Sequence, residues 1–300
     1  MVVATGFFDG VHKGHRIVID KLVSAAHERG TESLVITFWP HPRNVLQNDA
    51  RGLRLLSSLQ EKKEMLLSLG VDRVEVLDFT KEFSRLSTEE YIWKYLIGRY
   101  DADAVVLGYD NRIGCDSGTT DEIASMASAL GLEVIMADAL DVDDVTVSST
   151  KIREALQCGD VTRAGNMLGY DYSLTGVVVE GNRLGRTIGF PTANMQMYDP
   201  LKMVPCNGVY LTAVKALGRS MYGMTNIGTR PTVTGVVSSG SIPNSMRTIE
   251  TNIFDFDEEI YGLDISVSFL ARIREERRFD SLDALARQLE NDRLQCRSLI

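Results

Sequence analysis

Along the first half of the chain, short apolar runs of strand length alternate with longer stretches of helical period. The strand-like runs are Val2-Val3-Ala4, Ser33-Leu-Val-Ile-Thr-Phe38, Val74-Glu-Val-Leu77, Ala104-Val-Val-Leu107 and Glu133-Val-Ile-Met136. Between them the pattern predicts helices over 14–28, 60–69, 88–100 and 121–130. In the first of these, Ile17, Val18, Leu22, Ala25 and Ala26 share one face. Pro40-His41-Pro42 stops the second strand. Strands that alternate with helices predict a parallel, doubly wound sheet, whose ligands bind beyond the carboxyl ends of the strands.

The texture changes near Gly169. From there to about Arg272 the chain alternates strand patterns with Gly/Pro turns. Asp264-Ile-Ser-Val-Ser-Phe269 places Ile265, Val267 and Phe269 on one face. A last helix is predicted to start near Asp280, read as its N-cap, with Leu282, Leu285 and Leu289 at helical spacing. The expected architecture is an α/β domain over 1–168 followed by a small antiparallel barrel with a terminal helix over 169–300. Pro231 to Ser245, rich in Ser, Gly, Thr and Val, reads as a flexible loop. There is no internal repeat.

Composition narrows the function. A chain of 300 residues with 44% hydrophobic and 24% charged positions is long enough for two cores and ordinary for a globular protein. No apolar run reaches the ~20 residues of a membrane span, so no membrane partner is expected. The start, Met1-Val-Val-Ala-Thr-Gly6, lacks the basic flank and apolar core of a signal peptide. Cys115, Cys158, Cys206 and Cys296 lie far apart with no C-x-x-C pair, which predicts reduced thiols and a cytoplasmic location. A net charge of −9 disfavours general nucleic-acid binding, and no nucleic-acid partner is expected. Anionic ligands must then be met by local donors, which a Debye length of about 8 Å permits on an acidic protein. The sequence specifies no oligomeric state.

Thr5-Gly-Phe-Phe-Asp-Gly-Val-His-Lys-Gly-His15 follows a strand and opens a helix. Free N–H groups and the helix dipole make such a place an anion site. His12 and His15 stand three residues apart across the helix start and can donate to charge on a transferring phosphoryl group. Read alone, a glycine turn with two surface histidines would also account for the string. Ser148-Ser-Thr-Lys-Ile-Arg153 offers hydroxyl caps and two positive charges at another helix start, and read alone it is a capped helix. In the second half, Gly181, Gly185 and Gly189 allow a ligand close to the backbone. The absence of a Walker G-K-[ST] excludes a P-loop. Glu250 alone would read as an exposed strand glutamate, and Arg272 to Arg278 as a solvated charged face.

His12-x-Gly14-His15 after a strand resembles the nucleotidylyltransferase superfamily signature, and Gly6-Phe-Phe-Asp-Gly-Val-His-x-Gly-His15 resembles the bacterial bifunctional riboflavin kinase/FAD synthetase family. Phe38-x-Pro-His-Pro42, Gly108-Tyr-Asp-x-Arg112 and Val147-Ser-Ser-Thr-Lys-Ile-Arg153 are similar to three further family segments. So are Gly185-Arg-x-x-Gly-Phe-Pro-Thr-Ala-Asn194, Asn207-Gly-Val-Tyr210, Asn226-Ile-Gly-x-Arg-Pro-Thr232, Ile249-Glu250 with Tyr261-Gly262, and Arg274-x-Glu-x-x-Phe279.

The resemblance implies a Rossmann-like nucleotidylyltransferase domain and a barrel riboflavin kinase domain. Riboflavin would become FMN and FMN would become FAD, with ATP as substrate, Mg²⁺ on its phosphates and pyrophosphate released in the second step. In the first module it implies ATP contacts at Gly6, Phe7, Asp9, Gly10, His12, His15, Ser148, Ser149, Thr150 and Arg153, and flavin contacts at Tyr109, Asp110 and Arg112. In the second it implies ATP contacts at Gly181, Gly185, Arg186, Gly189, Pro191, Thr192 and Asn194, with the metal on Thr192 and Asn194. Arg274 and Glu276 would lie near the flavin, and Glu250 would accept the proton of the ribityl hydroxyl.

The chain departs from the family at several places. Many relatives have Asn where Phe7 stands, and an N-terminal strand that this chain lacks; Pro231 to Ser245 is longer than usual. Ile113 stands where an aromatic is common, and Asp116 where a basic residue is common, which predicts weaker FMN binding in the first module. Alternatives are a riboflavin kinase whose first module has weakened or drifted to another nucleotidyl transfer, and a non-catalytic flavin sensor. The histidines, Thr192, Asn194 and Glu250 argue against the sensor.

Overall fold

The computed structural model describes residues 1–46, 53–109, 111–116, 118–138, 141–142, 145–181, 184–229 and 247–300. Asp110 and the stretch from Pro231 to Ser245 lie outside the described residues. The chain divides into two compact units, Met1–Ser149 and Thr150–Ile300.

The first unit is built on five parallel strands: β1 (Val2–Thr5), β2 (Ser33–Trp39), β3 (Arg73–Asp78), β4 (Ala104–Gly108) and β5 (Glu133–Ala137), in the order β3-β2-β1-β4-β5. The helices are α1 (Lys13–Arg29), α2 (Pro42–Leu46), α3 (Leu59–Ser68), α4 (Thr88–Tyr91) and α5 (Thr120–Ala129). Strand alternation gives the sheet two apolar faces. Val2, Ala4, Val35 and Val106 pack with Ile19 and Leu22 of α1 and Leu66 of α3. Val3, Leu34, Val105 and Leu107 pack with Tyr91, Leu96 and Ile123. Strand order reverses between β1 and β4, so the turn leaving β1 stands at the topological switch point, where such sheets bind ligands.

The helix expected over 88–100 is shorter. After α4 the chain widens into a π-helical turn over Ile92–Ile97, with Gly98 N–H on Trp93 O and Tyr100 N–H on Tyr95 O. Two short strands, β6 (Asp141–Val142) and β7 (Val145–Thr146), pair antiparallel.

Helix α6 (Ser149–Cys158) starts at the last residue of the first unit, and α7 (Val161–Leu168) follows. The rest of the second unit comprises β8 (Ser173–Val179), α8 (Leu184–Thr187), β9 (Ala193–Met197), β10 (Gly208–Ala216), β11 (Arg219–Thr229), β12 (Arg247–Ile253), β13 (Asp264–Arg274) and α9 (Leu282–Arg297). Its strands close an antiparallel barrel in the order β10-β11-β12-β9-β8-β13. Closure removes the exposed strand edges. Segment 150–168 packs with the barrel: Cys206 N–H donates to Leu156 O, and Thr162 Oγ1 to Leu270 O.

Helix α9 is capped by Ser281, whose hydroxyl accepts the Ala284 N–H at 3.1 Å, not by Asp280 as expected. Leu289 packs onto the cluster of Phe190, Val209, Leu211, Met224, Phe254 and Cys296, while Leu282 is exposed. All four cysteines are free thiols.

Candidate active sites

In the first unit, the turn after β1 is held from several sides. Thr37 Oγ1 donates to Phe7 O at 3.1 Å, and Asn111 Nδ2 to Thr5 O at 3.1 Å. Asp9 is 3% exposed, and its carboxylate accepts the N–H groups of Leu56 and Ser57 at 3.0 and 3.1 Å. The Gly10 N–H donates to Ser57 Oγ at 3.0 Å. Asp9 is therefore an anchor of the turn. Phe8 and Val11 sit at φ 51° and 36°, and Gly10 at 76°. Left-handed backbone at a bulky and a β-branched residue is strain that only a well-anchored turn sustains.

His12 is the N-cap of α1. Its Nδ1 accepts the His15 N–H at 3.3 Å, and the two imidazoles stack with centroids 3.6 Å apart. With Nδ1 accepting, the neutral His12 ring carries its proton on Nε2. Burial, reinforced by the neighbouring His12 and Lys62, holds the His15 pKa well below the ordinary histidine value. The pair can donate hydrogen bonds to an anion at the start of α1. Ser149 Oγ donates to Asp9 O at 3.1 Å, so the start of α6 is tied to the same turn. Ser148 directly precedes α6, and Thr150 and Arg153 lie in its first turns.

The segment expected on the flavin side is exposed at Tyr109 and Arg112 and buried at Ile113. The Tyr109 carbonyl accepts the Thr120 hydroxyl at 2.9 Å. Ile113 is turned inward, 6% exposed, in the core with Tyr91 and Leu96. Asp116 accepts the Thr88 hydroxyl at 2.7 Å and the Thr88 N–H at 3.1 Å. Neither side chain is free for the role that the substitution pattern predicted: one is core, the other holds the first residue of α4.

Among the described residues of the second unit, two cavities share a wall. The larger, about 390 Å³, is lined by Val178, Arg186, Pro191, Thr192 and Tyr261 among others. The smaller, about 290 Å³, is lined by apolar Phe190, Met224, Phe279, Leu285 and Leu289, with Glu250, Arg274 and Glu276 supplying charge. Thr192 lines both. The apolar lining of the smaller cavity suits a flat apolar ligand. Two glycines shape the wall by close approach: a Cβ on Gly181 would meet Asn194 Nδ2 at 2.3 Å, and one on Gly185 would meet Phe190 O at 2.2 Å. Gly189 has φ 83° and turns the chain into the Pro191 segment.

Asn252 and Asp292, which the sequence pattern did not mark, position this site together with Asn207 of the Asn207–Tyr210 segment. Asn252 Nδ2 donates to Pro191 O at 2.7 Å and fixes the residue before Thr192. Asp292, on α9 and 1% exposed, takes Arg274 Nη2 at 2.7 Å and Nε at 2.9 Å, and Gln288 Nε2 supports it at 2.8 Å. Asn207 Nδ2 donates to Glu276 at 3.0 Å. The only sequence signal was polar Gln288 and Asp292 at an i, i+4 interval on an amphipathic helix.

No group of three His, Cys, Asp or Glu that could cage a metal exists among the described residues. The fit for a hard divalent cation is of another kind. Thr192 and Asn194 offer oxygen donors two residues apart, and Asn194 is pinned by Gly181 and the opposing β12 strand. Mg²⁺ commonly takes one or two protein oxygens and completes its shell with water and substrate phosphate.

Residues 1–151 match the FAD synthetase family model and residues 168–300 the riboflavin kinase family model. The bifunctional riboflavin kinase/FMN adenylyltransferase of Bacillus subtilis (strain 168) is 36% identical over 97% of this chain and 90% of its own length. That of Listeria monocytogenes is 36% identical with the same coverage. A crystal structure described as a macrolide-efflux protein from Streptococcus pneumoniae is 33% identical, with a TM-score of 0.89 over 99% of this chain and 93% of that one. No described helix of the present chain is long and apolar enough to cross a membrane.

Proposed function

From the premise that this chain belongs to the bifunctional riboflavin kinase/FMN adenylyltransferase family, we propose that its two reactions are carried by the two residue sets described above, in modules 1–168 and 169–300. The enzyme phosphorylates riboflavin to FMN and adenylylates FMN to FAD. The observation that supports the kinase assignment is Thr192 in the shared wall of two cavities, with Glu250 in the smaller.

Riboflavin takes the smaller cavity, its ring system among Phe190, Met224, Leu285 and Leu289, and ATP takes the larger one. Gly181, Gly185, Arg186, Gly189 and Pro191 shape the approach for the nucleotide. Glu250 accepts the proton of the ribityl 5′-hydroxyl as its oxygen bonds to the γ-phosphorus, and ADP leaves. Thr192 and Asn194 would hold Mg²⁺, which screens charge on the phosphates when bound. Arg274 and Glu276 orient the flavin.

In the first module, ATP lies over the turn Gly6–Gly10 and the start of α1, with Ser148 before α6 and Ser149, Thr150 and Arg153 in its first turns contributing. Oxygen of the FMN phosphate attacks the α-phosphorus, and pyrophosphate leaves. His12 and His15 donate to the developing charge. The step is mainly positioning and electrostatics. Tyr109 and Arg112 flank the flavin. The four free thiols and the use of ATP suit the cytoplasm.

Incubation with riboflavin, ATP and Mg²⁺, followed by chromatography, tests this reading. FMN appearing first and FAD after it is the expected result. FMN without FAD would point to a drifted first module, and neither product to a flavin sensor.

A further inference from the structure

Lys62 of α3 is 2% exposed. Its Nζ donates to Phe7 O at 2.8 Å and to Thr37 Oγ1 at 3.0 Å, and stands 3.9 Å from the centroid of the Phe7 ring. The Thr37 hydroxyl donates to the same Phe7 carbonyl. A buried ammonium that makes no ion-pair contact with a carboxylate among the described residues, and feels Asp9 only at longer range, is costly. Asp9, the nearby carboxylate, accepts from the Leu56 and Ser57 amides. A methionine would fill the same volume with no charge to desolvate. Core packing therefore does not account for a lysine here.

What the ammonium does hold is the strained turn. Between Phe7 and His12 the chain passes through left-handed Phe8, Gly10 and Val11. Asp9 anchors the middle of that path, and Lys62 anchors its start. We infer that Lys62 is a positioning residue for adenylyl transfer: by fixing the Phe7 carbonyl it sets the turn that presents His12 and His15. This rests on the adenylyl-transfer reading of the first module.

Burial pushes the Lys62 pKa down to about 8, partly offset by Asp9, so the anchor loses its proton in mildly alkaline solution. Lys62 is in turn one of the causes that lower His15. Among the described residues, the titratable groups around this turn include Asp9, His12, His15 and His41, whose ring meets Phe7 at 4.1 Å.

The test uses the full chain, with riboflavin phosphorylation as an internal control. Lys62→Met should lower kcat/KM for FMN adenylylation about 10- to 100-fold, the scale of a lost hydrogen bond to a charged group. The kinase rate should hold, and the His15 imidazole, followed by NMR, should titrate at higher pH. The unmodified enzyme should lose adenylylation as pH rises through about 8. Lys62→Arg keeps its charge and should lose that alkaline limb. Adenylylation by Lys62→Met within twofold of the unmodified enzyme overturns the role. Should Lys62→Met fail to fold, an unmodified rate that is flat from neutral pH to well above 8 overturns it equally. Absence of FAD formation by the unmodified chain would overturn the adenylyl-transfer reading and this role with it.

Discussion

Asn194 on β9 and Glu250 on β12 are direct partners in an antiparallel ladder. Opposed residues in such a ladder project from the same face of the sheet. The proposed metal ligand and the proposed base are thus set side by side by backbone register. Thr192, two residues before Asn194, has the same parity on the strand's approach and lines both cavities. Among the described residues, the barrel wall itself brings Asn194 and Glu250 side by side.

Glu250→Gln keeps the shape and the register but cannot take a proton. Riboflavin phosphorylation should fall about 10²- to 10⁴-fold. Adenylylation of supplied FMN should continue at the unmodified rate. Separate assays of the two steps check this, and a near-normal kinase rate would exclude Glu250 as the base.

His12→Ala and His15→Ala should show the opposite selectivity. Each removes a donor worth about 2.7–4 kcal/mol to a transition state, so FAD formation falls while FMN formation stays. A pH effect on stability accompanies them. His15 is held neutral in the folded state, with its pKa below the ordinary value near 6.5. As pH falls below about 6.5 the unfolded chain takes up a proton that the folded chain does not, so stability declines. Thermal melts between pH 7 and 5 should show a smaller decline for His15→Ala. An equal decline would remove His15 as its source.

Much of this was legible in the sequence, and the exceptions share a cause. The strand and helix rhythms of the first unit and the alternation in β13 report burial directly, because apolar side chains repeat at the period of the backbone. The turn holding His12 was legible because glycines and a strand–helix junction mark it. Lys62, Asn252 and Asp292 were not legible. Each is a polar residue on an element whose pattern assigns polar positions to solvent, and each is buried because it meets a partner distant in sequence. Ile113 misled for a related reason. Gly114, at φ 77°, sits so close to Thr88 that a Cβ would meet its nitrogen at 2.3 Å, and this packing turns Ile113 into the core.

Arg274 lines the smaller cavity but is oriented from α9, by Asp292. Breaking a buried pair by removing one partner typically costs about 3–5 kcal/mol. Asp292→Ala should therefore lower the stability of the second unit, and Asp292→Asn, which keeps an acceptor, should lower it less. In Asp292→Asn the loosened Arg274 should raise KM for riboflavin more than KM for ATP. Steady-state kinetics with each substrate varied in turn decides it. Equal KM values to those of the unmodified enzyme would confine Asp292 to stability.

The Ile113–Asp116 segment gives the last prediction, and the structure reverses what substitution pattern alone suggests. Restoring the common residues, as in Ile113→Phe with Asp116→Arg, would be expected from sequence to tighten FMN binding. Ile113, however, is core, and a larger ring in a filled core typically costs about 1–3 kcal/mol. Asp116→Arg also takes the acceptor from the Thr88 hydroxyl and N–H, a loss of about 1 kcal/mol. The bonds from the Thr88 hydroxyl and N–H hold the Asp116 carboxyl below the usual carboxylate range, against a smaller desolvation effect. Its contribution is present above the ordinary carboxylate pKa and is lost as pH falls through the depressed folded value. The double variant should therefore melt earlier than the unmodified enzyme at neutral pH, and the difference should shrink in acid. FMN affinity, measured by calorimetry on the full chain, should not improve. A variant that binds FMN more tightly and melts no earlier would show that Ile113 and Asp116 face the ligand after all.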